Sequence, residues 1–125
     1  MFGGSDPNIP NMVPTGIVIR RNHITRPMAW KNQGWVVKNL VEFKNAHDVM
    51  VEGNLIENHW VDSQPGSSIV LTPRNQSGTA PWSGLAHITI QTNVIRHVSS
   101  AFNVLEIGRA HGRTPTTYQP RKPSS

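Results

Sequence analysis

Val51 to Trp60 read "VEGNLIENHW", and the first six of these residues form a phrase the chain repeats. It returns as "IRRNHI" from Ile19 and as "IQTNVI" from Ile90, each time an apolar residue, two polar or small residues, Asn, any residue, then Ile. Aligned on Asn, the frames are Ile17, Ile19, Asn22, Ile24; Val49, Val51, Asn54, Ile56; and Ile88, Ile90, Asn93, Ile95. The intervals from 22 to 54 and from 54 to 93 are 32 and 39 residues. Apolar residues two apart follow the strand period, so Ile17 and Ile19 and their counterparts face one side while Val18, Met50 and Thr89 face the other. Each phrase predicts a short strand, a corner at Asn and a second short strand. A unit of this length cannot bury its apolar face alone; its recurrence predicts a stack in which neighbours complete the core.

The segments between the phrases supply a third side. "NLVEFKNA" sets Val41 and Phe43 against Glu42 and Lys44, "SSIVLTP" repeats the alternation through Ile69 and Leu71, and "AFNVL" begins a third copy through Phe102 and Val104. Helix is disfavoured by ten Pro, ten Gly and the β-branched residues at the periodic positions. The expected fold is all-β: a right-handed parallel β-helix of about three coils over residues 13 to 105. An irregular lead-in at 1 to 12 precedes it, and a disordered basic tail at 106 to 125 follows.

A bend between two strands of one coil calls for left-handed backbone angles, which Asn tolerates, while its amide bonds locally. Stacked coils would set Asn22, Asn54 and Asn93 above one another at roughly 4.8 Å, the strand spacing, as a structural ladder of amides. Ile19, Val51 and Ile90 are expected in one interior column beside it. The competing reading makes these Asn residues ligand contacts.

Composition limits the chemistry. With no Cys in 125 residues there is no disulfide framework, thiolate metal site or cysteine nucleophile. The start "MFGGSDPNIPNMVP" lacks the basic and apolar regions of a signal peptide, and no stretch approaches the length of a membrane span. The net charge of +5 is concentrated at the C-terminus: Arg109, Arg113, Arg121 and Lys122 against Glu106 leave +3 in residues 106 to 125 and +2 in the other 105. In the body, Arg20 and Arg21 are the only adjacent basic pair, too little to track a phosphate backbone, so neither nucleic acid nor a membrane is an expected partner.

The pattern over residues 13 to 105 resembles right-handed parallel β-helix proteins of the pectate-lyase-like architecture. More narrowly, "VKNLVEFKNAHDVMVEGNLIENHW" and "LTPRNQSGTAPW" look like a bacterial group of β-helix repeat proteins of unassigned activity. The resemblance implies three parallel sheets wound round a narrow apolar core, and a secreted or periplasmic life on or near carbohydrate. Such proteins have more coils than three, so the chain is expected to be a fragment whose partners include the remaining coils. Met1 is then expected to be an internal codon. "EIGRAH" resembles one reading frame of a sequencing-adapter oligonucleotide, so the tail is expected to be non-native; a natural basic tail is the alternative.

Two functions follow as expectations: a scaffold or carbohydrate-binding surface, or part of a polysaccharide lyase or glycoside hydrolase completed by missing coils. For a lyase the resemblance implies clustered carboxylates around calcium, which needs six to eight oxygens. Asp6, Glu42, Asp48, Glu52, Glu57 and Asp62 are spread over different sides of the coil, with Glu52 in an outward column with Arg20 and Gln91. A hydrolase needs two carboxyls some ~5 to 9.5 Å apart. Glu57 and Asp62 stand at the two ends of the loop segment "ENHWVD" with His59 between them, the best local set for acid and base work. An exposed loop with ordinary hydrogen bonds explains them equally. His23, His47, His87 and His97 show no metal spacing, and "FGGSDP" opens no helix, so no metal or cofactor is expected.

All four Trp lie in the insertions at 26 to 39, 57 to 67 and 73 to 86, where stacked repeats tend to build binding surfaces. Trp60 and Trp82 with Arg74 and Asn75 combine aromatic faces and planar polar groups suited to a sugar ring. The other reading has each Trp folding its own loop back onto the stack.

Overall fold

The computed structural model describes residues 1 to 3 and 6 to 105; the expectation of an unpacked tail at 106 to 125 falls outside them. Among the described residues nine strands run in order: β1 (Thr15–Arg20), β2 (His23–Thr25), β3 (Val41–Phe43), β4 (Ala46–Glu52), β5 (Leu55–His59), β6 (Ile69–Leu71), β7 (Leu85–Gln91), β8 (Val94–Val98) and β9 (Phe102–Val104). One 3-10 turn, Met28–Trp30, interrupts the first long loop. Every strand pairs in parallel with the one three places along, giving sheet 1 (β1-β4-β7), sheet 2 (β2-β5-β8) and sheet 3 (β3-β6-β9). Each run of three strands is therefore one unit, contributing one strand to every sheet.

The register keeps like beside like. Ile19, Val51 and Ile90 form one column, Ile24, Ile56 and Ile95 another, and Val41, Ile69 and Phe102 a third. Most of the buried cluster comes from the middle of these columns: Val51, Ile56 and Ile69 are fully buried, as is Phe43 of the edge strand β3, which Phe2 covers, while Ile17, Ile19, Ile88 and Ile90 are half-buried against them. Removing apolar area from water is the main favourable term, and here it falls mostly on the second unit, which has neighbours on both sides, and on β3, which lies between β6 and Phe2.

The corner is made differently from the sequence expectation. Asn22, Asn54 and Asn93 are not the left-handed residues; the residue before each is, with φ of 56° at Arg21, 66° at Gly53 and 52° at Thr92. Asn serves the corner through its side chain. Asn54 Oδ1 accepts from Asn22 N at 2.9 Å, Asn93 Oδ1 accepts from Asn54 N at 2.9 Å, and the amide nitrogens of Asn54 and Asn93 donate to Ile19 O and Val51 O. Asn54 Nδ2 also reaches Asn93 Oδ1 at 2.9 Å, so the three amides form one continuous chain. A buried turn must satisfy its backbone groups, and one Asn per unit satisfies a donor in the unit before it and an acceptor further back.

A second left-handed column was not foreseen. Gly16, Asp48 and His87 have φ of 70°, 55° and 54° at one level of sheet 1, between pairs that hold ordinary register on either side. Such a residue resets the alternation of faces. Ala46 and Val49 are three apart yet both buried, as the strand period alone forbids.

The lead-in also takes part in the sheets. Phe2 pairs in parallel with Phe43 on the side of β3 away from β6, and their rings stack at 5.0 Å and 9°. Asp6 Oδ2 accepts from Ser77 N, Thr79 N and Thr79 Oγ1, tying the lead-in to the loop after β6.

Candidate functional site

Glu57 and His59 belong to β5, and the expected "ENHWVD" loop begins only after them. On the outer face of sheet 2, Thr25, Glu57 and Arg96 are register partners. Glu57 Oε2 accepts from Arg96 Nε at 2.7 Å and Oε1 faces His23 Nε2 at 2.7 Å. The Arg96 hydrogen bond, with that from His23 behind it, holds the Glu57 carboxyl below its ordinary value against the opposing effect of burial. A general acid needs the reverse shift, so Glu57 is placed as an ion-pair centre between two units.

His59 is turned inward. Asn58 sits at φ 65° and resets the alternation, so Ile56 and His59, three apart, are both buried. His59 Nε2 faces Lys38 O at 2.8 Å and must carry the proton it donates there; Nδ1 then accepts from Ser99 Oγ at 2.9 Å. Both ring nitrogens are engaged in joining two loops.

Asp62 stands apart from both, in an isolated antiparallel bridge with Gln64, its Oδ1 near Ser63 Oγ at 3.4 Å. Its charge acts on Arg26. Arg26 is 1 % exposed; its guanidinium lies 3.6 Å above the Trp60 ring and donates to Asn58 O, Val37 O and Trp60 O. Burial pushes its pKa down and Asp62 draws it back up. Arg26 therefore clamps the loop at 26 to 39 onto the loop at 57 to 67, and one face of Trp60 is occupied by cation and not by a sugar. Its only sequence signal is position: it follows β2 at the level of Asn58 in β5, where a polar side chain can turn under the adjacent loops.

The other expected sugar contacts are dispersed. Asn75 Oδ1 accepts from Ala80 N and Asn75 O from Gly78 N, so Asn75 shapes its own loop. Trp82 is half-buried with its Nε1 unpartnered among the described residues. Trp30 and Trp35 pack on each other at 6.3 Å within the first loop. Arg74 lines a sizeable concavity that Trp60, Asn75 and Trp82 do not line.

That concavity is a groove of about 650 Å³ over the outer face of sheet 3. Its floor is the register column Glu42, Val70, Asn103 with Lys44 and Thr72 beside it; Lys38, Val61, Pro65 and Gly66 form one wall, and Ser99, Ser100 and Phe102 contribute elsewhere to the lining. Lys44 pairs with Glu42 at 3.4 Å, whereas Lys38 and Arg74 have no carboxylate partner among the described residues. The wall at Lys38 is fixed from behind: its carbonyl receives His59, Val37 O receives Arg26, and a Cβ on Gly66 would meet Lys38 O at 2.0 Å. Only glycine permits that approach. Among the described residues no group of three or more His, Asp or Glu side chains is arranged to hold a metal ion.

No family model, curated protein or solved structure matches the chain.

Proposed function

We propose that the chain forms three coils of a right-handed parallel β-helix of pectate-lyase-like architecture, part of a longer secreted protein, and that it acts as a scaffold presenting a carbohydrate-binding groove on sheet 3. The unbroken register of three parallel sheets, one strand per unit in each, supports the β-helix reading. The groove carries the functional one. Its volume falls in the range of small-molecule sites, roughly 300 to 1,000 Å³. It sets the Ser100 hydroxyl, the Asn103 amide and two cations with no carboxylate partner among the described residues around apolar surface from Val61, Pro65 and Phe102. A sugar chain offers the matching alternation of C–H faces and hydroxyls. Catalysis gains no comparable support, because Glu57, His59 and Asp62 are committed to three different sets of partners.

The test is titration calorimetry against a panel of neutral and uronic-acid oligosaccharides, comparing the unaltered chain with the double variant Lys38→Ala, Arg74→Ala. Loss of two charge-assisted hydrogen bonds weakens binding by at least about a hundredfold, since each contributes about 1.5 to 3 kcal/mol. Affinity unchanged in that variant, or no binding across the panel, defeats the groove assignment.

A further inference from the structure

His59 stands directly behind the groove and ties two of its lining residues together. The residue is 3 % exposed; its Nε2 donates to Lys38 O at 2.8 Å and its Nδ1 accepts from Ser99 Oγ at 2.9 Å. Lys38 and Ser99 both line the groove. The backbone repeats the tie on one side, where Ser99 N donates to His59 O at 3.0 Å. On the other side Ser67 N donates to Asn39 Oδ1 at 3.0 Å, and both of these residues also belong to the lining. Any planar amide could bridge a carbonyl and a hydroxyl in this way. What imidazole adds is a change of charge between about pH 5 and 8.

The two contacts respond differently to a proton. Lys38 O accepts in either state of the ring, but a proton on Nδ1 turns the acceptor facing Ser99 Oγ into a donor, so the hydroxyl loses the atom it donates to. The proton also adds a second cation beside Arg26, whose guanidinium donates to Asn58 O and Trp60 O, the carbonyls on either side of His59. Among the described residues no carboxylate bonds to the ring. Asp62 acts on Arg26, while Glu57 is held by His23 and Arg96 on the outer face of sheet 2. In β8 the register partner of His59 is Val98, Arg96 and His97 are exposed, and Lys38 adds its own cation on the groove side. A buried charge without a charged partner is costly, and here the cost is relieved by the ring leaving Lys38 and Ser99 for water.

We propose that His59 is a pH-sensitive latch on the groove: neutral, it holds the Lys38 wall and Ser99 together and the groove binds its ligand; protonated, it lets them part and the ligand is released. The release of ligand rests on the carbohydrate-binding reading, whereas the latch is a property of the wall itself. Its action is local. The three sheets are paired through their backbones and keep their register when one ring swings out.

The test follows the His59 ring and the backbone amides of Asn39, Ser67 and Ser99 by NMR in the full chain from about pH 8 to pH 5. Calorimetry at the two ends of that range uses the panel of neutral and uronic-acid oligosaccharides, which keep their charge throughout. The wall amides are expected to shift with the midpoint of the His59 ring, and affinity to fall several-fold at the acid end. His59→Gln offers one donor and one acceptor from an amide that does not titrate. It is expected to bind as the unaltered chain does at the neutral end and to lose the pH response, with circular dichroism checking its strands. The other histidines remain in that variant, so a response that survives belongs to them. Should the variant not fold, the wall amides and affinities of the unaltered chain decide. Wall amides that stay flat while the ring titrates, equal affinity at both ends, or the same response in His59→Gln overturn the proposal. Wall amides that move with the ring while no oligosaccharide binds at either end support the latch and defeat the glycan reading.

Discussion

Thr92 holds the third corner at φ 52°, a region that L side chains enter at a cost and β-branched ones more rarely still. The same corner is made by Gly53 in the second unit, where no Cβ opposes the angle. Thr92 offers little in return: its hydroxyl donates only to Gln91 O next to it, and the residue is exposed. Thr92→Gly is therefore expected to stabilise the chain by about 0.5 to 1 kcal/mol, the relief of left-handed strain less the added entropy of glycine when unfolded. A urea titration reads this as a higher midpoint at unchanged slope; a lower midpoint shows that the hydroxyl matters more than the backbone. The recurring Asn was legible in sequence because a polar side chain at a fixed place in an apolar frame stands out. Which residue of the corner is left-handed was not, since Arg21, Gly53 and Thr92 share no side-chain type. The angle is imposed by closing the corner and tolerated by whichever residue stands there.

Between neighbouring strands, the side-chain contacts of Glu57 show how the outer face of sheet 2 is held across all three units. His23 of β2, Glu57 of β5 and Arg96 of β8 meet at one carboxylate that is only 12 % exposed in its side chain. Its pKa is depressed in the folded chain, chiefly by Arg96 and next by His23. Asp6 is depressed as well, chiefly by Thr79, where the lead-in meets the loop after β6. A depressed carboxyl contributes stability that is complete above its unfolded pKa and lost as pH falls through the lower folded value. Stability is thus expected to hold from neutral pH down to the ordinary carboxylate range near 4.5 for Glu57, and to fall below it. Glu57→Gln flattens that acid limb while lowering stability at pH 7, measured as urea midpoints from pH 7 to pH 3. An acid limb of the same depth in the variant assigns the loss to other groups. The strands themselves were legible from the period of two, but the inward turn of His59 was not. It depends on Asn58 at φ 65°, and one left-handed residue moves every later side chain of a short strand to the other face.

Across the described residues, three units give a middle with two neighbours and outer units with one, apart from β3, which Phe2 also covers. The groove and the Arg26 clamp arise at this scale and left no local mark in the sequence: Lys38, Val70 and Asn103 become neighbours only when β3, β6 and β9 stand side by side. The apolar columns, by contrast, could be placed from the sequence because each unit repeats its own share of them. In a stack where each unit touches only its neighbours, local stability follows the number of interfaces. Val49, Val51, Ile56 and Ile69 of the second unit are buried to 2 % or less, whereas the corresponding Ile88, Ile90, Ile95 and Phe102 of the third are not. Native-state hydrogen exchange is therefore expected to be slowest in β4, β5 and β6 and faster in the outer strands. The ladder sharpens this to single amides: Asn22 N and Asn54 N are each bonded to a side-chain oxygen of the next unit, and Asn93 N has no such partner among the described residues. In dilute protein Asn54 N–H should exchange on the order of a hundredfold more slowly than Asn93 N–H, the second opening without loss of a bond. Uniform protection along the three units would mean that the chain opens as one block.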